Sequence, residues 1–326
     1  MRFGVLLPHF GPHTSHDRLF GLSSRLEAQG FSSAWTRDHL GYSGGMAFEA
    51  DGAFFVDPLI TLASVAATSR LTIGTAALTP VRHPVLLAQM IGSLSYLAHG
   101  RLILGVGLGK ARATELIGHS ARDRVAMFDE MVDVLRAVAH GPASFSGTFT
   151  SFDELVIDPA PPADLPLWYC GASQAAVQRA VERTDGWLPG RCPFPTFDRF
   201  LARLRELAAA RGKKMSVGIV PLVSLDRDRE TALGKINVQG LLQSFRDKPA
   251  LRPDGPFESA DELRGAVLAG SVQDVLEDLK ALEERGVDEV VLDLRERMDA
   301  FDDTLQCISE EILPALRSTT AQASRT

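Results

Sequence analysis

A chain of 326 residues that is 45% hydrophobic and 23% charged has the composition of an ordinary globular protein, which excludes coiled-coil and disordered classes. The net charge of -7 is moderate and the Lys and Arg residues are scattered, so the basic stripe of a nucleic-acid binder is missing and no such partner is expected. Cys170, Cys192 and Cys307 show no C-x-x-C spacing; they suit a reducing cytoplasm and read as small buried hydrophobes.

The run from Met1 to Pro8 has neither a basic region before it nor a small-residue cleavage site after it, and reads as a first strand, Phe3–Leu7. No stretch approaches the roughly 20 apolar residues of a membrane span, so a cytoplasmic protein with no membrane partner is expected. Leu19, Leu22 and Leu26 place a helix over Asp17–Gln29, stopped by Gly30. The alternation then continues: strand Ala34–Thr36, helix Pro58–Ser69, strand Leu71–Ala76, helix Pro84–His99, strand Leu102–Val106. Arg122–Ala139 is helical, and Ser144–Ile157 alternates around Ser146-Gly147-Thr148 as a small β-excursion. Strand Leu167–Cys170 and helix Gln174–Arg183 come next, then strand Gly186–Leu188, helix Phe197–Ala210 and strand Ser216–Val223. Helix Val272–Arg285, strand Glu289–Leu294 and helix Asp302–Leu316 complete the series.

Short apolar strands, each succeeded by a helical segment, predict a parallel sheet covered by helices, and eight such units predict a single (β/α)8 barrel over residues 1–317. Residues 226–270 break the scheme and predict an insertion after strand seven, a lid over the mouth or an ordinary surface excursion. Residues 318–326 are expected to be a disordered tail. The rival is an open doubly wound sheet, suggested by Gly105-Val106-Gly107-Leu108-Gly109. It fails because Lys110-Ala111 stand where a third glycine is needed.

In a barrel, the residues that leave each strand face the substrate. Strands two to six lead into Trp35-Thr36-Arg37-Asp38-His39, Gly74 to Pro80, Gly105 to Lys110, Cys170 to Gln174 and Asp185-Gly186-Trp187, which are small where a flat ligand would press on backbone. A carboxylate at Asp38 can accept a hydrogen bond and a histidine at 39 can donate, accept or hold a proton. The same two residues would also serve as a helix N-cap beside a core histidine. Gly171-Ala172-Ser173-Gln174 opens a helix, where free amides and the Ser173 hydroxyl make either an anion site or a capped glycine turn. No strand end offers a Schiff-base lysine or a metal-ligating cluster, so an aldolase, a lyase or a metal site is not expected.

In order and spacing these segments, over residues 1 to 225, resemble the luciferase-like superfamily of flavin- and deazaflavin-dependent oxidoreductases. The resemblance implies a (β/α)8 barrel, often a homodimer, with coenzyme F420 or FMN laid across the strand ends. It implies Asp38 and His39 as the catalytic pair, with Asp38 also contacting cofactor, and a non-prolyl cis peptide at Ala76-Ala77 beneath the ring. Gly107, Gly109 and Lys110 would border the cofactor, and Gly171, Ala172, Ser173 and Gln174 would hold its phosphate; His83 is a lesser candidate. The deazaflavin-dependent glucose-6-phosphate dehydrogenases have a similar pattern but carry a catalytic glutamate where this chain has Lys110, and an asparagine near Ala113. A lysine of ordinary pKa does not replace a carboxylic acid, so a different small organic substrate is expected. The expected activity is hydride transfer with F420, favoured by Asp-His-Leu after Arg37. An oxygen-using FMN monooxygenase and a flavin-binding barrel without turnover are the alternatives.

Overall fold

The computed structural model describes residues 1–11, 14–40, 54–251 and 257–317, without the side chain of Pro249. Eight parallel strands close a barrel: β1 (Arg2–Leu6), β2 (Ser33–Thr36), β3 (Thr72–Thr75), β4 (Leu102–Val106), β7 (Leu167–Tyr169), β8 (Gly186–Trp187), β9 (Ser216–Ile219) and β12 (Glu289–Leu292). Val5 aligns with Ala34, Ala34 with Ile73, and Phe3 with Val290 where β12 closes the ring on β1. The strands are buried on both faces, which is why each reads as an apolar run rather than an alternating one.

Two indoles fill the inside of the barrel. Trp35 on β2 and Trp168 on β7 lie 5.9 Å apart with Leu6, Ile103, Leu188, Val220 and Val291 around them. Each burial stabilises by roughly 4–6 kcal/mol at the usual value per unit area. The rings fit because neighbouring strands carry glycine: a Cβ at Gly74 would meet Trp35 at 2.4 Å, and one at Gly186 would meet Trp168 at 2.5 Å. At the strand starts, the fully buried Glu289 pairs with Arg2 Nε at 2.8 Å and accepts from the Ser33 hydroxyl, which in turn accepts from Trp35 Nε1 at 2.8 Å. The tryptophan that plugs the barrel is therefore tethered from below.

The covering helices are α1 (His16–Ala28), α2 (Pro58–Thr68), α3 (Pro84–Leu97), α5 (Arg124–Val138), α6 (Gln174–Arg183), α7 (Phe194–Ala209), α10 (Val272–Glu284) and α11 (Phe301–Cys307), the last continuing through a π-turn at Ile308–Ile312. α1 is capped by Ser15, whose hydroxyl accepts from Arg18 N–H at 3.2 Å, and α2 by Asp57, whose carboxylate accepts from Leu59 and Ile60 N–H. A short α4 (Ala111–Leu116), not anticipated from the sequence, comes after β4. The expected excursion is a hairpin, β5 (Ala143–Ser146) and β6 (Ser151–Leu155). No helix among the described residues is long and apolar enough to cross a membrane. The expected tail, 318–326, lies outside the described residues.

One expected strand is two. The run Ser216–Val223 ends in the barrel at Ile219, and after Pro221 the chain enters β10 (Leu222–Leu225), which pairs in parallel with β11 (Val267–Gly270) in a separate sheet. Proline has no N–H to offer a ladder, so the run cannot pair continuously across it. The insertion between β10 and β11 carries α8 (Arg229–Gly234) and α9 (Val238–Arg246); its segment 252–256 lies outside the described residues.

Candidate active site

The carboxyl ends of the strands open into a cavity of about 610 Å³. Its floor is made of small residues. Ala76 and Ala77, Gly107, and Gly171 and Ala172 line it from β3, β4 and β7, and the Ala76-Ala77 peptide is cis. A Cβ at Gly107 would sit 3.0 Å from the Cys170 carbonyl oxygen, and one at Gly171 would sit 3.0 Å from the Tyr169 ring and 3.1 Å from Ala176 Cβ. Glycine at these two positions lets the strand ends pack closely, and the floor that results, of backbone and methyl groups, fits the face of an isoalloxazine or deazaflavin ring. Gly109, at φ +67, and Lys110 continue the rim, and Arg112 and Ala113 on α4 line it too.

The end of β2 carries Asp38 and His39, both on the cavity wall. The Asp38 side chain is only 1% exposed. Its Oδ2 accepts from Thr79 N–H at 3.0 Å, from the Thr79 hydroxyl at 2.9 Å and from Arg82 Nη1 at 2.9 Å, while Oδ1 accepts from Arg82 Nη2 at 3.0 Å. Arg82 Nη2 also donates to Asp57 at 2.7 Å. Burial opposes the Arg82 charge, yet its bonds to Asp38 and Asp57 outweigh burial and raise its pKa above the ordinary arginine value. The carboxylate of Asp38 thus joins the ends of β2 and β3 to the start of α2. His39 is half-buried, and its ring meets the Phe55 ring edge-on at 5.4 Å.

Ser173 and Gln174 are the N-cap and first residue of α6 and do not line the cavity. The Ser173 hydroxyl accepts from Ala176 N–H at 3.1 Å, the capping role. Among the described residues, the N–H groups of Gly171 to Gln174 donate to no protein acceptor, so the turn keeps its anion-binding amides. Trp187 Nε1 fixes the turn by donating to the Gly171 carbonyl at 2.8 Å. The Cys170 sulfur is buried beside the floor; burial pushes its thiol pKa up, which keeps it protonated and inert. His83 is exposed and caps α3 without a side-chain bond.

Two groups of lining residues are not apparent from the strand exits considered in the sequence. Asp293, after β12, is 1% exposed and accepts from Arg191 Nη2 at 2.8 Å and from Arg295 Nε at 2.8 Å; all three line the cavity. Asp293 and Arg295 belong to the exit of strand eight, outside the exits of strands two to six that the sequence singles out. Leu241, Ser244 and Phe245 of α9 line the cavity from the insertion. Among the described residues, no group of three or more His, Cys, Asp or Glu could hold a metal.

A closed eight-stranded barrel whose mouth holds a small-residue shelf, an adjoining histidine and a helix-start turn defines the class: a (β/α)8 enzyme scaffold shaped for a flavin-type ring. The chain belongs to the luciferase-like monooxygenase family, whose model matches residues 1–289. An F420-dependent glucose-6-phosphate dehydrogenase of Nakamurella multipartita is 31% identical over 248 residues, covering 72% of this chain and 70% of the relative. Among solved structures, an F420-dependent secondary alcohol dehydrogenase in complex with an F420-acetone adduct superposes with TM-score 0.78 at 19% identity, covering 96% and 98% of the two chains. The oxygenating constituent of 3,6-diketocamphane monooxygenase of Pseudomonas putida, in complex with FMN, gives TM-score 0.75 at 18% identity over 96% and 98%. At those identities the structures establish the fold.

Proposed function

We propose that this chain is an oxidoreductase that uses coenzyme F420 for hydride transfer to or from a small organic substrate. The shelf of Ala76, Ala77, Gly107, Gly171 and Ala172 beside His39 carries this reading, because it offers backbone to a ring face and a titratable side chain at its edge. The F420-dependent relatives among the sequence matches support the choice of coenzyme. When bound, the coenzyme supplies the hydride chemistry of its ring.

The chain's own residues do the rest. His39 lines the cavity wall, and with the coenzyme bound beside it its imidazole would hold or return a proton. Asp38, held on both oxygens by Arg82, fixes the backbone from which His39 projects and borders the cofactor. Gly109 and Lys110 would border the coenzyme on the β4 side, and the amides of Gly171, Ala172, Ser173 and Gln174 would hold its phosphate. Leu241 and Phe245 line the cavity from the insertion and would present apolar surface to the bound coenzyme and substrate. Lys110, in place of the glutamate of the glucose-6-phosphate dehydrogenases, sets the substrate apart from theirs.

A second copy of the chain is the expected partner. α2 and α3 carry no charged residue, yet Ile60, Leu86, Tyr96 and Leu97 on them are 66%, 53%, 73% and 48% exposed. A neutral apolar face of two packed helices suits a two-fold copy of itself. A cytoplasmic location goes with this reading.

Adding F420 and FMN separately to the cofactor-free protein and measuring each affinity tests the function. Binding of F420 in preference to FMN is expected; tight FMN binding with none for F420 turns the reading to an oxygen-using monooxygenase, and binding of neither overturns it. His39→Ala is expected to fold and bind coenzyme while losing turnover.

A further inference from the structure

We propose that His9, which does not line the cavity, is a positioning residue that fixes the His39 ring by clamping the two chain segments on either side of it. This deepens the proposed function and rests on the place of His39 in it.

His9 lies just beyond β1 and is fully buried. Its Nε2 lies 3.0 Å from Arg37 N, and its Nδ1 lies 2.9 Å from the Val56 carbonyl oxygen. A backbone N–H can only donate and a carbonyl can only accept, so the two partners assign the ring: Nδ1 carries the proton and Nε2 is bare. Only a side chain that donates at one atom and accepts at its neighbour, without charge, satisfies both. Burial keeps the imidazole neutral, lowering its pKa to about 4.

Each clamped segment leads to His39. Arg37 is two residues upstream in the chain that leaves β2, so the bond to Nε2 sets the direction in which Asp38 and His39 emerge. Val56 is next to Phe55, whose ring abuts His39 at 5.4 Å and His9 at 4.8 Å. The second segment is itself latched to the first strand's exit: Val56 N–H donates to the His9 carbonyl at 2.9 Å, Gly11 N–H donates to the Phe54 carbonyl at 2.9 Å, and Phe10 stacks on Phe55 at 5.3 Å. One imidazole therefore ties the backbone that carries His39 to the aromatic wall that His39 leans on.

The test uses nitrogen-15-labelled full-length protein in three forms, wild type, His9→Phe and His9→Gln, with the His39 ring signals identified by their loss in His39→Ala. Phenylalanine keeps a ring in the slot but can neither donate nor accept; the glutamine amide offers a donor and an acceptor at similar spacing. In His9→Phe, hydrogen exchange at the Arg37 amide should accelerate by about tenfold or more and the His39 signals should shift or split, whereas His9→Gln should restore both, as expected for loss and return of a buried hydrogen bond. The wild-type His9 ring should show a protonated Nδ1 and a bare Nε2 at neutral pH. A folded His9→Phe with wild-type Arg37 exchange and His39 signals overturns the proposal. The opposite tautomer in the wild type overturns it too. If His9→Phe does not fold, the glutamine form decides: a folded His9→Gln with a displaced His39 ring also refutes the clamp. Titrating the wild type with F420 separates the two ideas, since failure to bind coenzyme removes the proposed function and leaves the ring measurements in force.

Discussion

Arg82 grips Asp38 through both carboxylate oxygens, at 2.9 and 3.0 Å, from a loop that reaches Asp38 across 44 residues of sequence. The acid is 1% exposed and would be a buried, unpaired charge without it. Arg82→Ala is therefore expected to cost about 3–5 kcal/mol, the usual result of removing one partner from a buried pair. Arg82→Lys should recover only part of this, because an ammonium is not a bidentate fork. Urea denaturation of the two variants checks the order; equal stability of Arg82→Ala and wild type would refute the structural role given to Asp38.

Acid should weaken the fold through His9. Its folded pKa of about 4 lies below the ordinary 6.5, so between these values the unfolded chain binds the proton and the folded one does not. The contribution is full above pH 6.5, is lost progressively as pH falls, and is gone below about 4, amounting to about 3 kcal/mol. Arg37, Asp57 and Asp38 are the charged groups that act on the ring. Stability measured from pH 7 to 4 should fall more steeply in the wild type than in His9→Gln, and parallel curves would contradict this.

Gly74→Ala should destabilise by about 1–3 kcal/mol, because its Cβ would lie 2.4 Å from the Trp35 ring in a filled barrel. Gly21→Ala on the exposed side of α1, where nothing lies within 4 Å, should instead stabilise by about 0.5–1 kcal/mol. Thermal melts of the pair should move in opposite directions.

Tyr96→Glu places a charge in the exposed apolar face of α2 and α3. The wild type should travel in light-scattering chromatography at twice 35.3 kDa and the variant at once that mass, with unchanged circular dichroism. A monomeric wild type would dispose of the self-association.

The barrel was legible because parallel strands buried on both faces spell themselves as apolar runs, with capped helices between them. The Ala76-Ala77 cis bond came from resemblance, not from propensity. Strand seven misled because Val217, Ile219 and Val223 read as one run across Pro221. His9 gave no local signal, since its partners stand 28 and 47 residues away. Asp293 sits between two leucines, and nothing in that context tells a buried ion pair from an ordinary strand end.

The break at Pro221 has an evolutionary side. Because β10 and β11 align Leu222 with Val267 and Leu225 with Gly270, residues 226–266 leave and re-enter through neighbouring strands of a small sheet that is tied to the end of β12 by the bridge from Leu222 to Asp293. Such a cassette can be lengthened, shortened or exchanged between relatives without altering the register of the eight barrel strands. The cavity wall that the insertion supplies through Leu241 and Phe245 can change while the shelf of small residues keeps its shape.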